Sequence, residues 1–164
     1  MSEPLLLDVQ GVSKYFDGLK ANDDISFQVK RGEIVSIIGP NGAGKSTLFG
    51  CVTGFHPVDK GRLLFKGRDI TNRKPHTIAR LGIVRTFQIV QVISDMTVLE
   101  NVMTGGFLRR TRVGDVRRKA EEILAFTGLI EKQSYNALEL TISDKKRLEV
   151  SMALAMDPEI AHAG

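Results

Sequence analysis

The residues most able to do chemistry are Gly39, Pro40, Asn41, Gly42, Ala43, Gly44, Lys45, Ser46 and Thr47, which read "GPNGAGKST" and fit the spacing G-x-x-x-x-G-K-[ST]. Anionic phosphates need many donors at close range, and glycines let the backbone approach them without side-chain clash. The N–H groups of Asn41 to Ser46 can turn inward as a nest, reinforced by the positive end of a following helix. Lys45 can reach β- and γ-phosphates, and the Ser46 hydroxyl can ligate Mg²⁺. An ordinary glycine turn before a helix is the plainer alternative, but the flanking sequence has the strand–loop–helix context of a phosphate loop.

Other reactive residue types carry less. The single cysteine, Cys51, reads as a small buried filler, and it excludes an internal disulfide, as a reducing cytoplasm allows. His56, His76 and His162 show no ligand spacing, so no structural metal is expected. Arg109, Arg110, Arg112, Arg117, Arg118 and Lys119 form a basic concentration. It reads either as a solvated helical face with its lead-in or as a contact for nucleic acid or membrane headgroups. No aromatic residues interleave with these charges, so base stacking has no support there.

The elements that must position these residues follow from apolar periodicity. Leu5–Gln10 and Ile25–Val29 read as strands, and Lys30 to Glu33 as a turn. Ile34–Ile38, β-branched and continuously apolar, has the pattern of a strand buried on both faces in a parallel sheet and leads into the phosphate loop. A helix ended by Gly54 follows, then a short strand at "RLLFKG", a helix from Pro75 to Leu81, and a strand in "GIVRTFQ". From Thr97 the pattern turns helical. Val116, Ala120, Ile123 and Leu124 are spaced as one helix face, a last helix spans about Ser143 to Met156, and Gly105-Gly106 marks a loop.

The 164 residues carry 42% apolar and 26% charged side chains, the composition of a chain with a core and not of a disordered one. No apolar run approaches the ~20 residues of a membrane span. The net charge of +4 permits an anionic partner without demanding one.

Further motifs narrow the phosphate-loop class. "GPNGAGKST" resembles the Walker A motif of ATP-binding cassette (ABC) proteins, "VRTFQ" (Val84 to Gln88) resembles their Q-loop, and "MTVLENV" (Met96 to Val102) the segment after it in importer subunits. "VSKYFDGLKANDDISF" is similar to the lead-in that carries the family's adenine-stacking aromatic, which falls on Phe16, with Tyr15 as the fallback. The combination looks most like the ATP-binding subunits of branched-chain amino-acid importers, from about Leu5 to Ile160. No guanine-reading Asn-Lys-x-Asp motif appears.

The resemblance implies an α/β P-loop NTPase with a β-sheet ATP-binding layer (1–87), a Q-loop and helical subdomain (88–156), and an end (157–164) that leaves the domain incomplete at its C-terminus. It implies ATP and Mg²⁺ as cofactors, with Ser46 and the Gln88 amide oxygen as metal contacts. Its implied partners are membrane-spanning permease subunits and a second ATP-binding subunit, with no nucleic acid, on the cytoplasmic face of the cell membrane. Two other classes stay open: a non-hydrolytic nucleotide-binding module that competes for a permease, and a DNA-associated ABC ATPase using Arg109 to Lys119.

The sequence departs from the family pattern twice. Where the family reads Leu-Ser-Gly-Gly-Gln and reaches across a dimer to the partner's ATP, this chain has Leu140, Thr141, Ile142, Ser143 and Asp144. Thr141 and Asp144 fit a capping box, and Asp144 suits a helix N-terminus. The same carboxylate would repel a phosphate unless Lys145 or Lys146 screens it. Pure helix cap and modified signature are both admitted. Second, Ile160, Ala161, His162, Ala163 and Gly164 stand where an apolar strand and the Walker B Asp-Glu pair are expected. The expectation is a truncated chain without that strand, the Walker B glutamate or the switch histidine, inactive in hydrolysis on its own, with Ile34–Ile38 left as an exposed apolar edge.

Overall fold

A computed structural model describes residues 5–85 and 92–162. The chain divides into two compact units, Met1–Ile78 and Ala79–Gly164.

The first unit is built on an antiparallel sheet in the order β2-β1-β3-β4, with β1 Leu5–Phe16, β2 Leu19–Lys30, β3 Lys60–Phe65 and β4 Arg68–Asp69. The first two strands are longer than the sequence pattern indicated, because Asp17-Gly18 forms a tight turn with positive φ at both positions (45° and 85°) and lets pairing run up to Phe16↔Leu19. Val9 is the hub of the register, opposite Phe27 on one side and Leu63 on the other. With Leu7, Val12, Leu63, Phe65 and Ile70 it forms the buried face, against which helix α1 (Lys45–Val52) sets Leu48, Cys51 and Val52. Helix α2, Pro75–Leu81, has the bounds its sequence suggests, beginning on the proline that fits a first helical position.

Ile34–Ile38 does not form the expected buried strand. The segment belongs to no ladder among the described residues, and Ile34 and Ile38 are each 94% exposed. A strand exists only through a neighbour's N–H and C=O groups, and the sheet in this unit is completed by β1 to β4 without it. An open cleft of about 460 Å³ lies along the segment, with Ile25 and Phe27 of β2, Val35, Ile37 and Leu48 in its wall. The apolar content was legible; the partner was not.

The second unit packs three helices: α3 Val98–Gly106, α4 Val113–Thr127 and α5 Ile142–Ala155. Their shared core holds Val98, Val102, Ala120, Leu124, Leu129 and Leu148. On α4 the buried set is Val116, Ala120, Ile123 and Leu124, the helical face read from the sequence. Thr97 and Glu100 close the start of α3 as a reciprocal capping box: the Glu100 N–H donates to Thr97 Oγ1 (3.2 Å), and the Thr97 N–H to Glu100 Oε2 (2.8 Å). The fully buried Asn101 amide accepts from the Ile93 N–H and donates to the carbonyls of Ile93 and Thr97, fastening the chain that leads into α3.

Two expectations are corrected in this unit. Gly105-Gly106 is not a loop but the last turn of α3. A Cβ on Gly105 would strike the Met152 carbonyl of α5, and one on Gly106 would press Val116 of α4. The glycines therefore permit close helix approach. Secondly, Ile160–His162 does form a strand, β6, parallel to β5 (Ile83–Arg85), with Ile83↔Ile160 and Val84↔Ala161 in register. The Gly82 carbonyl starts the ladder by accepting from the N–H groups of Glu159 and Ile160. Three residues suffice once a partner strand is in place, although their own pattern is weak.

Candidate functional site

The phosphate loop is shaped by its glycines and by the start of α1. Gly42 and Gly44 take φ of 84° and 80°, a left-handed region costly to residues with a Cβ. At Gly44 a side chain would also strike the Ala21 carbonyl and the Asn22 amide, whose Nδ2 donates to the Gly44 carbonyl (3.2 Å). Gly44 serves as N-cap of α1 with no side-chain cap and no acidic residue in the first turn. The N–H groups of Gly44, Lys45, Ser46 and Thr47 find no backbone or side-chain acceptor among the described residues. These orphan donors, at the positive end of a helix dipole, are the groups an anion would satisfy. Lys45 folds back over the loop, its ammonium donating to the carbonyls of Gly39 (2.6 Å) and Pro40 (2.8 Å), while Ala43 N–H closes the turn on the Pro40 carbonyl (3.2 Å). Ser46 is exposed beside it, and Asn41 and Ala43 lie on the outer surface of the turn. The arrangement is a donor-rich cradle with one cation held across it, and phosphate oxygens fit it chemically.

Phe16 ends β1 in the same unit, 40% exposed. Tyr15, the fallback aromatic, is otherwise engaged: its hydroxyl donates to Asp23 Oδ1 (3.1 Å), its N–H donates to Asp59 Oδ2 (2.7 Å), and the Lys60 ammonium lies 5.8 Å from its ring centroid. The Tyr15 N–H first, and the Lys14 ammonium after it, hold the Asp59 carboxyl below the usual carboxylate range. Phe16 is the more available ring.

Gln88 lies outside the described residues. Leu140 to Asp144 lies in the second unit and begins α5, with Thr141 as N-cap. Thr141 Oγ1 accepts from the Asp144 N–H (3.2 Å), the forward half of the expected capping box. The Asp144 carboxylate, however, accepts from the Thr141 hydroxyl (3.0 Å) in place of the Thr141 backbone N–H, so the helix is capped by Thr141 alone. The cation that screens Asp144 is neither Lys145 nor Lys146 but Lys132, whose ammonium donates to Oδ2 at 2.6 Å. That hydrogen bond, then the one from Thr141, holds the Asp144 carboxyl below its ordinary value. Asp144 is thereby turned inward and buried, while Thr141, Ile142 and Ser143 are exposed.

The basic concentration is largely spent on the protein itself. Arg117 pairs with Glu121 (2.9 Å), Arg118 with Asp115 (2.7 Å), and Lys119 with Glu122 (3.6 Å), all along α4. Arg109 donates to the carbonyls of Met156 (3.2 Å) and Asp157 (3.4 Å), and Arg110 pairs with the Asp157 carboxylate. The two arginines thus complete the C-terminal end of α5, where cations are favoured. Burial pushes the Cys51 thiol up to about 11, which suits a packed filler and not a nucleophile. No group of three metal-ligating side chains occurs among the described residues.

The sequence assigns no site role to Asn22, Lys14 or Asp59, and reads His56 only as lacking metal-ligand spacing, yet the four surround the candidate residues of the first unit. Lys14 and Asn22 lie within the stretch from Val12 to Phe27 and are brought opposite each other by the pairing of β1 with β2, while His56 and Asp59 come to their places in the turn after α1.

Comparison with known proteins fits this geometry. A family profile described as ABC transporter matches residues 22–163. The probable branched-chain amino acid transport ATP-binding protein LivG of Archaeoglobus fulgidus is 40% identical, aligning 94% of this chain with 65% of its own length. The high-affinity LivG of Salmonella typhimurium is 39% identical over 98% of this chain and 68% of its own. Among solved structures, an ATP-binding cassette of an ABC transporter in its ADP conformation superposes with a TM-score of 0.85 at 36% identity, covering 96% of this chain and 67% of that one. CbiO1 from Clostridium perfringens, part of an ABC transporter complex, gives 0.87 at 28% identity, covering 98% of this chain and 65% of its own. The chain spans about two thirds of the length of these relatives. With the phosphate loop in place and most of the chain aligned, it belongs to the ABC transporter family.

Proposed function

We propose that this chain is the ATP-binding part of an ABC importer, coupling nucleotide binding to uptake of branched-chain amino acids or a similar small solute. The observation that carries the reading is the first turn of α1, whose N–H groups have no acceptor among the described residues and which begins at Lys45, the residue whose ammonium spans the loop. In this reading the N–H groups of Gly44 to Thr47 bind the phosphate oxygens, and the Lys45 ammonium exchanges the Gly39 and Pro40 carbonyls for the β- and γ-phosphates. The Ser46 hydroxyl and the Gln88 amide hold Mg²⁺, and Phe16 stacks on the base. ATP, when bound, supplies the free energy for transport. A second ATP-binding subunit and membrane-spanning permease subunits complete the assembly on the cytoplasmic face of the membrane. No helix among the described residues is long and apolar enough to cross a membrane itself.

At the start of α5, the pairing of the buried Asp144 carboxylate with the partly exposed Lys132 ammonium favours a structural, helix-start reading for Asp144. Thr141, Ile142 and Ser143 are then the residues offered to a second subunit's nucleotide, with Asp144 serving to hold them in place.

The test is binding of an ATP analogue fluorescent on its ribose by the purified 164-residue chain, with and without Mg²⁺. Lys45→Ala is expected to weaken binding by tenfold or more, since a charge-assisted hydrogen bond is worth roughly 1.5–3 kcal/mol and ~1.4 kcal/mol is a factor of ten. Equal binding by wild type and Lys45→Ala would sink the assignment of this loop.

A further inference from the structure

Phe16 is not an isolated ring at a strand end. His56 stands against it, the two rings nearly perpendicular (86°) with centroids 5.5 Å apart. The Lys14 ammonium lies 5.1 Å from the Phe16 centroid, close enough for a cation–π contact. Neither neighbour is free to wander. Lys14 is almost fully buried and paired with Asp59 at 3.2 Å, and Asp59 is itself held by the Tyr15 N–H at 2.7 Å. The His56 backbone N–H donates to the Gly50 carbonyl of α1 (3.1 Å), fixing where the side chain starts, and the imidazole lies so close to Gly50 that any Cβ there would overlap it. Gly50 is a glycine inside a helix, a position that ordinarily costs ~1 kcal/mol relative to alanine. Here it opens the seat for the imidazole.

The contacts form one chain: phosphate loop, α1, Gly50, His56, Phe16. The helix whose first residue is Lys45 carries at Gly50 the seat that sets the angle of the exposed aromatic. We propose that His56 and Lys14 are positioning residues for Phe16, fixing a base-stacking ring at a set orientation relative to the helix that starts in the phosphate loop. The inference rests on the reading of Phe16 as the base platform. It adds what keeps that platform in register with the phosphate site. An aromatic ring on a strand end with free χ rotation loses stacking energy to ordering; a ring held by a perpendicular neighbour and a buried cation has that ordering already made. His56 touches no base in this scheme and acts only through Phe16.

The experiment compares two competitors against the fluorescent ATP analogue on the full chain: ATP, which engages base and phosphate contacts, and inorganic tripolyphosphate, which engages only the phosphate loop. Phe16→Ala is expected to reduce the preference for ATP over tripolyphosphate by about fivefold or more, the scale of one base–aromatic stack. His56→Ala is expected to weaken ATP by roughly threefold, the scale of one aromatic pair, and to leave tripolyphosphate unchanged. His56→Phe, which keeps a ring on Gly50, is expected to restore ATP binding, and Phe16→Ala/His56→Ala to be no weaker than Phe16→Ala alone. Lys14→Met, isosteric and uncharged, is expected to behave as His56→Ala does. Thermal melts followed by circular dichroism identify a variant that has lost its fold, in which case His56→Phe and Lys14→Met carry the comparison.

The outcomes separate the two readings. If Phe16→Ala leaves the ATP preference intact, the base-platform reading fails and the inference falls with it. If Phe16→Ala lowers the preference but His56→Ala and Lys14→Met do not, the platform stands and the positioning role is overturned. Equal loss of ATP and tripolyphosphate in His56→Ala also overturns it, because His56 would then act on the phosphate loop or the fold.

Discussion

Lys132 donates to Asp144 Oδ2 across 2.6 Å, joining a short 3₁₀ turn to the first turn of the helix that begins at Ile142. The same oxygen accepts from the Thr141 hydroxyl, so one carboxylate holds the N-cap side chain of its own helix and anchors that helix to the turn. Removing Lys132 leaves a buried carboxylate with only Thr141 and a distant Arg147 (3.7 Å). Lys132→Met is therefore expected to lower the urea midpoint. Asp144→Asn, which keeps an oxygen acceptor for the Thr141 hydroxyl and Lys132, is expected to lower it less than Asp144→Ala. In a double-mutant cycle Lys132→Met and Asp144→Ala are expected to be less than additive.

The pair also sets an acid dependence. Asp144 has a folded-state pKa held below its ordinary 3.8, by the Lys132 hydrogen bond first and Thr141 second. A carboxyl lowered on folding contributes stability that is fully present above its unfolded pKa and is lost as pH falls through the folded one. Urea midpoints measured from about pH 6 down to about pH 2.5 are expected to fall less steeply in Asp144→Asn than in wild type below about pH 4. Parallel curves would show that the pair does not couple to folding.

How much of this was legible in the sequence depends on the range of the interaction. The face Val116, Ala120, Ile123 and Leu124 was legible because helical period is local, and the phosphate loop because its geometry is written in consecutive residues. The Lys132–Asp144 pair and the Phe16–His56 contact were not, since each joins residues whose spacing has no periodic meaning. Ile34–Ile38 shows the converse: its composition names a buried strand, yet a strand needs a neighbour that composition cannot supply. Ile160–His162 shows it again, a weak pattern made into a strand by Ile83–Arg85.

Gly105 and Gly114 offer a matched pair of helical glycines. At Gly114 an added Cβ meets open space, and Gly114→Ala is expected to raise stability by about 0.4–1 kcal/mol through the unfolded chain. At Gly105 the Cβ would strike the Met152 carbonyl, a backbone atom that cannot rotate away. Gly105→Ala is expected to lower stability by about 1–3 kcal/mol despite its better helix propensity, the cost of overpacking. Urea denaturation of both variants checks the sign, and stabilisation by Gly105→Ala would show that the helices part at little cost.

Leu148 tests the core of the helical unit. It is fully buried among Val98, Val102, Leu124 and Leu129. Leu148→Ala is expected to cost about 2–5 kcal/mol and Leu148→Met under about 1.5 kcal/mol, because only the first leaves a cavity. Equal, small losses in the two variants would place Leu148 in a site that collapses freely.

Ile34, like Ile38, is an apolar side chain turned almost wholly to solvent, at 94% exposure on a segment that joins no ladder among the described residues. Extended apolar segments with unpaired N–H and C=O groups recruit other chains, and a lysine placed on such an edge disfavours that pairing. Ile34→Lys removes no packed contact, so its effect on unfolding is expected to stay within about 0.5 kcal/mol. Its effect on association is expected to be larger. Light scattering over a concentration series is expected to show less self-association than wild type, with the circular dichroism spectrum unchanged. If both proteins scatter alike, the edge is not what brings copies together. If Ile34→Lys instead unfolds the chain, then Ile34 is packed in solution and the segment is paired there.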